Sequence, residues 1–270
     1  QSLLLVQHSH RSWMRAEGVC QVPQGFFSVT MSAWERLFGM FTACGPLAKQ
    51  ADEDEDAVSK DPRGLVDTAP DKLNPSAVSL LLDLSAGRCA SSLIELNLKK
   101  AGMAALPPEV GALQQLTKLE LSLNPLSTLP PEVASLQKLR ILFCLGAKFR
   151  EVPEVLGGLS SLYMLSFKSN QLERISETAL SPSLNWLILT DNKLTALPTS
   201  FGNLKNLRKC MLTNNQLAAL PAEILGCTAL ELIRLADNQL TSLPDGFLEL
   251  PKLAWIALAG NPLVMQASWW

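Results

Sequence analysis

The chain is poor in the residues from which most catalytic sites are built. Of its 270 residues, two are histidine and one is tyrosine. His8 and His10 both fall in the first ten positions, so the rest of the chain has no imidazole to act as general base. A histidine-based triad is excluded there on the same ground. Neither G-x-x-x-x-G-K-[ST] nor G-x-G-x-x-G occurs, which removes the common backbone cradles for phosphate. The H-R-D and D-F-G signatures of a kinase catalytic core are missing too. Charge of one sign is also lacking. The formal net charge is −2, giving no electrostatic reason to expect DNA, RNA or an acidic membrane as partner. No apolar run approaches the 18 residues of a spanning helix. None of the six cysteines, Cys20, Cys44, Cys89, Cys144, Cys210 and Cys227, forms a C-x-x-C pair, so metal-ligand spacing is absent. There is no N-x-[ST] acceptor with x other than Pro, and Gln1–Val6 lacks the basic flank of a signal peptide. These absences lead to four expectations: no enzyme activity in this chain, no cofactor, no metal, and a reducing, cytoplasmic setting.

What the chain has in abundance is leucine at a fixed interval. Leucine-rich segments begin at Leu93, Leu116, Leu139, Leu162, Leu184, Leu207, Leu230 and Leu253. Six of the seven steps are 23 residues and the step from Leu162 to Leu184 is 22. Such self-similarity means one structural unit copied along an axis. In the fifth unit Leu187 and Leu189 are two apart, so a strand points both inward, while Trp186, Ile188 and Thr190 point outward. Leu194 and Leu197 bring the chain back, Pro198 forbids a regular helix at that point, and Phe201 and Leu204 anchor the return side. Burying each such side chain contributes roughly 1.5–3 kcal/mol, yet one coil cannot close the core without its neighbours.

Asparagine recurs in phase at Asn124, Asn170, Asn192, Asn215, Asn238 and Asn261. A coil turning inside a stack buries backbone N–H and C=O groups, and a side-chain amide can serve both. Ala101 and Ala147 interrupt this ladder, and those coils are expected to find other partners, such as water.

The pattern Leu-x-x-Leu-x-Leu-x-x-Asn-x-Leu-x-x-Leu-Pro, in Leu116–Pro130, Leu184–Pro198 and Leu230–Pro244, is similar to leucine-rich repeats of the intracellular Leu-Pro type. It resembles Ras-group leucine-rich repeat proteins and Erbin-like scaffolds. The segment Leu250–Pro262 also resembles the end of the repeat array in leucine-rich repeat protein kinases of microbes and algae, where a kinase domain follows. The resemblance implies a curved α/β solenoid with parallel strands on a concave face and irregular or short helical segments on the convex side. Secreted members carry cysteine-rich caps, which this sequence lacks, so a receptor ectodomain is the least favoured reading. The favoured one is a non-catalytic protein-interaction module in intracellular signalling, and the runner-up is the regulatory arm of a protein kinase.

Residues 93–270 are read as the repeat domain of about eight units, the last incomplete, and residues 73–92 as a helical N-terminal cap. In the cap, Asn74-Pro75 has the form of a helix start, Leu73, Ala77, Leu80, Leu81 and Leu84 share a face, and Gly87 fits the end. Residues 51–72, with the run Asp52–Asp56 and Pro62, Gly64 and Pro70, read as a solvated linker. Within residues 31–50, Trp34, Leu37, Phe38 and Phe41 lie at i, i+3, i+4 and i+7, the pattern of an amphipathic helix that anchors weakly to a membrane or docks a partner, with Cys44 open to acylation, or else packs on the array or stays unstructured. Residues 1–30 are expected to be a disordered leader or a gene-model extension, with the natural start near Met31.

The outward strand positions compose the expected binding surface. They run Glu95, Lys118, Ile141, Met164, Trp186, Lys209, Leu232, Trp255, and then Asn97, Glu120, Phe143, Ser166, Ile188, Met211, Arg234, Ala257. The middle is apolar and aromatic, with Tyr163 alongside. Ile141, Phe143, Tyr163, Met164, Trp186, Ile188, Met211, Leu232, Arg234 and Trp255 are therefore the expected contacts for a protein partner of a monomeric chain. The fourth unit departs from the pattern, with Ile175-Ser176 in place of Leu-Pro and Ser181-Pro182-Ser183 at its close. Unit eight lacks its return segment, which leaves Trp269 and Trp270 to fold back over the end or the natural chain to continue.

Overall fold

The computed structural model describes residues 74–266 apart from Ala90. The leader, the Trp34–Phe41 pattern, the acidic run, Leu73, Trp269 and Trp270 lie outside the described residues. Eight three-residue strands follow one another at the sequence period: β1 (Glu95–Asn97), β2 (Lys118–Glu120), β3 (Ile141–Phe143), β4 (Met164–Ser166), β5 (Trp186–Ile188), β6 (Lys209–Met211), β7 (Leu232–Arg234) and β8 (Trp255–Ala257). They pair in sequence order as one open parallel sheet. The register is unbroken, with Leu96, Leu119, Leu142, Leu165, Leu187, Cys210, Ile233 and Ile256 in line. The first seven of these are sealed in the core, which runs continuously through all the coils.

Each strand ends because the chain makes a left-handed turn directly before the ladder position. Lys100, Leu123, Ser169, Asp191, Asn214 and Asp237 have φ between 54° and 59°, and Gly146 and Gly260 take the same place in the third and eighth coils. A positive φ is uncommon for a residue with a Cβ, and for Leu123 it is strained. The asparagine that follows stabilises the turn. Asn192 Nδ2 donates to Leu189 O and to Phe167 O, both at 2.9 Å, and Asn192 Oδ1 accepts from the Leu172 N–H at 3.0 Å. The same three contacts recur at Asn124, Asn170, Asn215, Asn238 and Asn261. Carbonyls inside the ladder are shared between units: Leu189 O accepts from both Asn192 and Asn215, and Leu212 O from both Asn215 and Asn238.

That sharing corrects the expectation for the gaps. Leu121 O and Cys144 O, which an amide at position 147 would reach, already accept from Asn124 at 2.8 Å and Asn170 at 2.7 Å. Leu98 O in the first coil likewise accepts from Asn124. Neighbouring asparagines, rather than water, cover these carbonyls. The acceptor for the Leu126 N–H is what Ala147 fails to supply.

On the return side, proline at the start of a short 3₁₀ segment fixes φ near −65° and needs no donor. Such segments span Pro108–Ala112, Pro131–Ser135, Glu154–Gly158, Thr199–Asn203 and Ala222–Gly226, while the last, Phe247–Glu249, follows Gly246 at φ 79° instead. The fourth unit has no 3₁₀ segment among the described residues, and polar side chains tie it instead. Ser181 Oγ donates to Leu159 O at 2.8 Å, and Ser183 Oγ to Leu162 O at 2.8 Å. Glu177 accepts from the backbone N–H groups of Thr199 and Ser200 at the start of the next segment. β4 and β5 keep their register, so the missing residue is absorbed entirely on the return side. Gly157 packs directly on this segment, where a Cβ would collide with Thr178 O, as Gly202 and Gly226 do on the return side of full-length units.

The two ends of the stack differ. Helix α1 (Pro75–Ser85) is capped by Asn74, whose Oδ1 accepts from Ser76 N–H at 3.1 Å and Ala77 N–H at 3.4 Å. The Asn74 N–H bonds Lys100 O at 2.9 Å, and Ala77 and Leu84 are buried over the first coil. At the other end, α2 (Pro262–Gln266) follows β8, and Ile256 is only half-buried where its seven counterparts are sealed.

Candidate protein-interaction face

The outer face of the sheet carries the two rows of side chains that the period places there, neighbours about 4.8 Å apart along each row. Its start is polar: Glu95 and Asn97 are exposed, and Lys118 pairs with Glu95 at 3.5 Å. From β3 the face turns apolar. Ile141, Phe143, Met164 and Trp186 are half-buried and contiguous in register. Lys209 Nζ sits 4.5 Å from the centre of the Trp186 ring, a cation–π contact between neighbouring strands. Arg234 and Trp255 are half-buried towards the far end.

Three expected contact residues are placed differently from the sequence reading. Ile188, Met211 and Leu232 are not open surface but 9%, 0% and 5% exposed, forming a second, separate apolar cluster against Met164, Trp186 and Trp255. Outward orientation read from strand alternation therefore did not mean exposure. Two polar atoms beside this cluster, Trp186 Nε1 and Thr190 Oγ1, are buried without a hydrogen-bond partner. Tyr163 belongs to neither outer row. It precedes β4, is 38% exposed, and lies under the Arg140 guanidinium at 5.7 Å.

The sequence reading passed over the flank that Tyr163 shares. Arg140 and Arg208 stand one position before the first outer row, at the same 23-residue phase. Arg208 grips the Glu231 carboxylate with two hydrogen bonds of 2.8 and 2.9 Å, which raises its pKa above the ordinary arginine value. Reading the period one residue earlier would have found this stripe.

Burial pushes the Cys144 and Cys210 thiols well above their ordinary value, and that of Cys227 up to about 12. Among the described residues no three His, Cys, Asp or Glu side chains group as metal ligands, and no helix is long and apolar enough to cross a membrane. The four described cysteines are free, three of them in the core.

With the parallel strands, the asparagine ladder and the Pro-led return turns in one unit, the comparison with known proteins is direct. The Leucine rich repeat family profile matches residues 182–240 and 205–263. This is a leucine-rich repeat protein. A solved leucine-rich repeat protein of Leptospira interrogans is similar at 32% identity and a TM-score of 0.57. That match covers 63% of this chain and 49% of the other, so the chain spans about half of that protein. With 441 solved chains matching this one, function must be read from the surface rather than from the fold.

Proposed function

We propose that the leucine-rich repeat array binds another protein on the outer face of its sheet, across Ile141, Phe143, Met164 and Trp186 with Tyr163 and Arg140 at the flank. The observation that carries this reading is the contiguous half-buried aromatic and aliphatic patch, framed by arginine and lacking any reactive group. Large flat side chains beside arginine are the residue types that dominate binding energy at protein interfaces. Three free cysteines in the core favour a reducing compartment, and with it a scaffold role in intracellular signalling. The regulatory-arm reading has only the short C-terminal resemblance behind it.

The test is comparative capture. Proteins retained by the full chain are identified, purified singly and titrated against wild type, Phe143→Ala/Trp186→Ala, and Lys138→Ala on the return side as control. The double variant is expected to lose about tenfold or more in affinity, with the control unchanged. Equal affinity for wild type and the double variant would move the binding surface elsewhere.

A further inference from the structure

The apolar patch on the outer face is bordered by positive charge, in a chain whose formal net charge is −2. In the first outer row Ile141, Met164 and Trp186 lie between Lys118 and Lys209. Along the strands the same patch lies between Arg140, directly before β3, and Lys168, two residues beyond β4. Among the described residues no carboxylate pairs with Arg140, Lys168 or Lys209. Arg140 and Lys209 lie over the rings of Tyr163 and Trp186, contacts that leave their charge in place. The neighbouring carboxylates are engaged within the array. Glu95 pairs with Lys118 at 3.5 Å, and Glu120 accepts from the Ser122 N–H at 2.9 Å. Asp191 accepts from Asn214 Nδ2 at 2.8 Å and from Ser169 Oγ at 3.2 Å. A rim of one sign around an apolar centre selects a partner of the opposite sign.

We infer that the partner presents an acidic amphipathic helix, laid along the rows and across the strands. This rests on the outer face being the binding surface. The strands already pair with one another through their backbones, so an extended segment lying across them would find no partners for its own N–H and C=O groups. A helix satisfies its own and offers a side-chain face. The dimensions fit. Ile141 to Trp186 is two strand spacings, about 9.6 Å, and helical residues i and i+7 are about 10.5 Å apart. Lys118 to Lys209 is four spacings, about 19 Å, the rise of about 13 helical residues. Apolar residues at i, i+3 or i+4, and i+7 therefore meet Ile141, Met164 and Trp186. Asp or Glu one turn beyond each end faces Lys118 and Lys209, and carboxylates on the two flanks face Arg140 and Lys168.

The test is selection from a phage-displayed library of random peptides, each about 18 residues long, roughly 27 Å as a helix. The full chain serves as bait in wild-type form, as Phe143→Ala/Trp186→Ala, and as Arg140→Glu/Lys168→Glu. Peptides enriched on wild type over the alanine variant are expected to carry Asp and Glu in excess of Lys and Arg, around apolar residues at helical spacing. The strongest of them should bind the glutamate variant about tenfold or more weakly. That variant should in turn enrich basic peptides, a gain that unfolding cannot mimic. Enriched peptides that need Phe143 and Trp186 but show no acidic excess, or no helical spacing, overturn the inference and leave the binding surface standing. Equal retention by the alanine variant removes the binding surface itself. A wild-type chain that elutes as a dimer, with the alanine variant a monomer, assigns the face to a second copy and also overturns the inference.

Discussion

Trp186 and Leu187 are adjacent in β5 and face opposite sides of one sheet. Along the inner line from Leu96 to Ile233 every residue is aliphatic or cysteine and every one is sealed. Along the outer line through Trp186 the chemistry changes from carboxylate to lysine, isoleucine, methionine, indole and back to lysine. The inner face must close a core that passes from coil to coil, so each unit is held to the same shape. The outer face is free of that demand, and its variation carries whatever specificity the protein has. Sealing of Ile188, Met211 and Leu232 on the variable side is the exception to this division.

The division can be broken most forcefully from within. Leu187→Ala should cost about 2–5 kcal/mol in urea unfolding, because the neighbouring coils cannot collapse into the void. Trp186→Ala, one residue away, should cost clearly less, and equal losses would abolish the distinction between the faces. Asn192→Ala should cost about 1–3 kcal/mol by leaving the Leu172 N–H without its acceptor. The converse change, Ala147→Asn, should gain about 1 kcal/mol by offering an acceptor to the Leu126 N–H. A loss there would mean that the third coil has no room for the amide. The smallest effect is local and pH-dependent. Hydrogen bonds from Ser200 and Thr199 hold the Glu177 carboxyl below its usual range. Its contribution is therefore present above the ordinary carboxylate pKa and lost as the pH falls through the lowered one. Amide exchange over Thr199–Asn203, corrected for the intrinsic pH dependence, should rise in acid in wild type and be independent of pH in Glu177→Gln.

Much of the fold was legible because burial acts on side-chain type. The inward leucines and the asparagine ladder repeat by identity, so their phase could be read directly. The left-handed turn was not legible: its eight positions hold Lys, Leu, Gly, Ser, Asp, Asn, Asp and Gly, a set with no common side chain because the constraint falls on the backbone. The remedy for the Ala147 gap was hidden for another reason, since it lies in carbonyls bonded by neighbouring coils. On the outer face, alternation gave the direction of Met211 but not its burial, which depends on the bulk of the side chains packed against it, Met164, Trp186 and Trp255 among them.

The shared carbonyls also set how the array comes apart. Between most units, amides from two successive coils clasp one oxygen, so each coil is stitched to the next as well as closed on itself. At Ala147 that stitch is dropped between the second and third units. The stack thus has a seam, and a chain unravelling from either end should pause there, leaving a short block of two coils with α1 and a longer block of six.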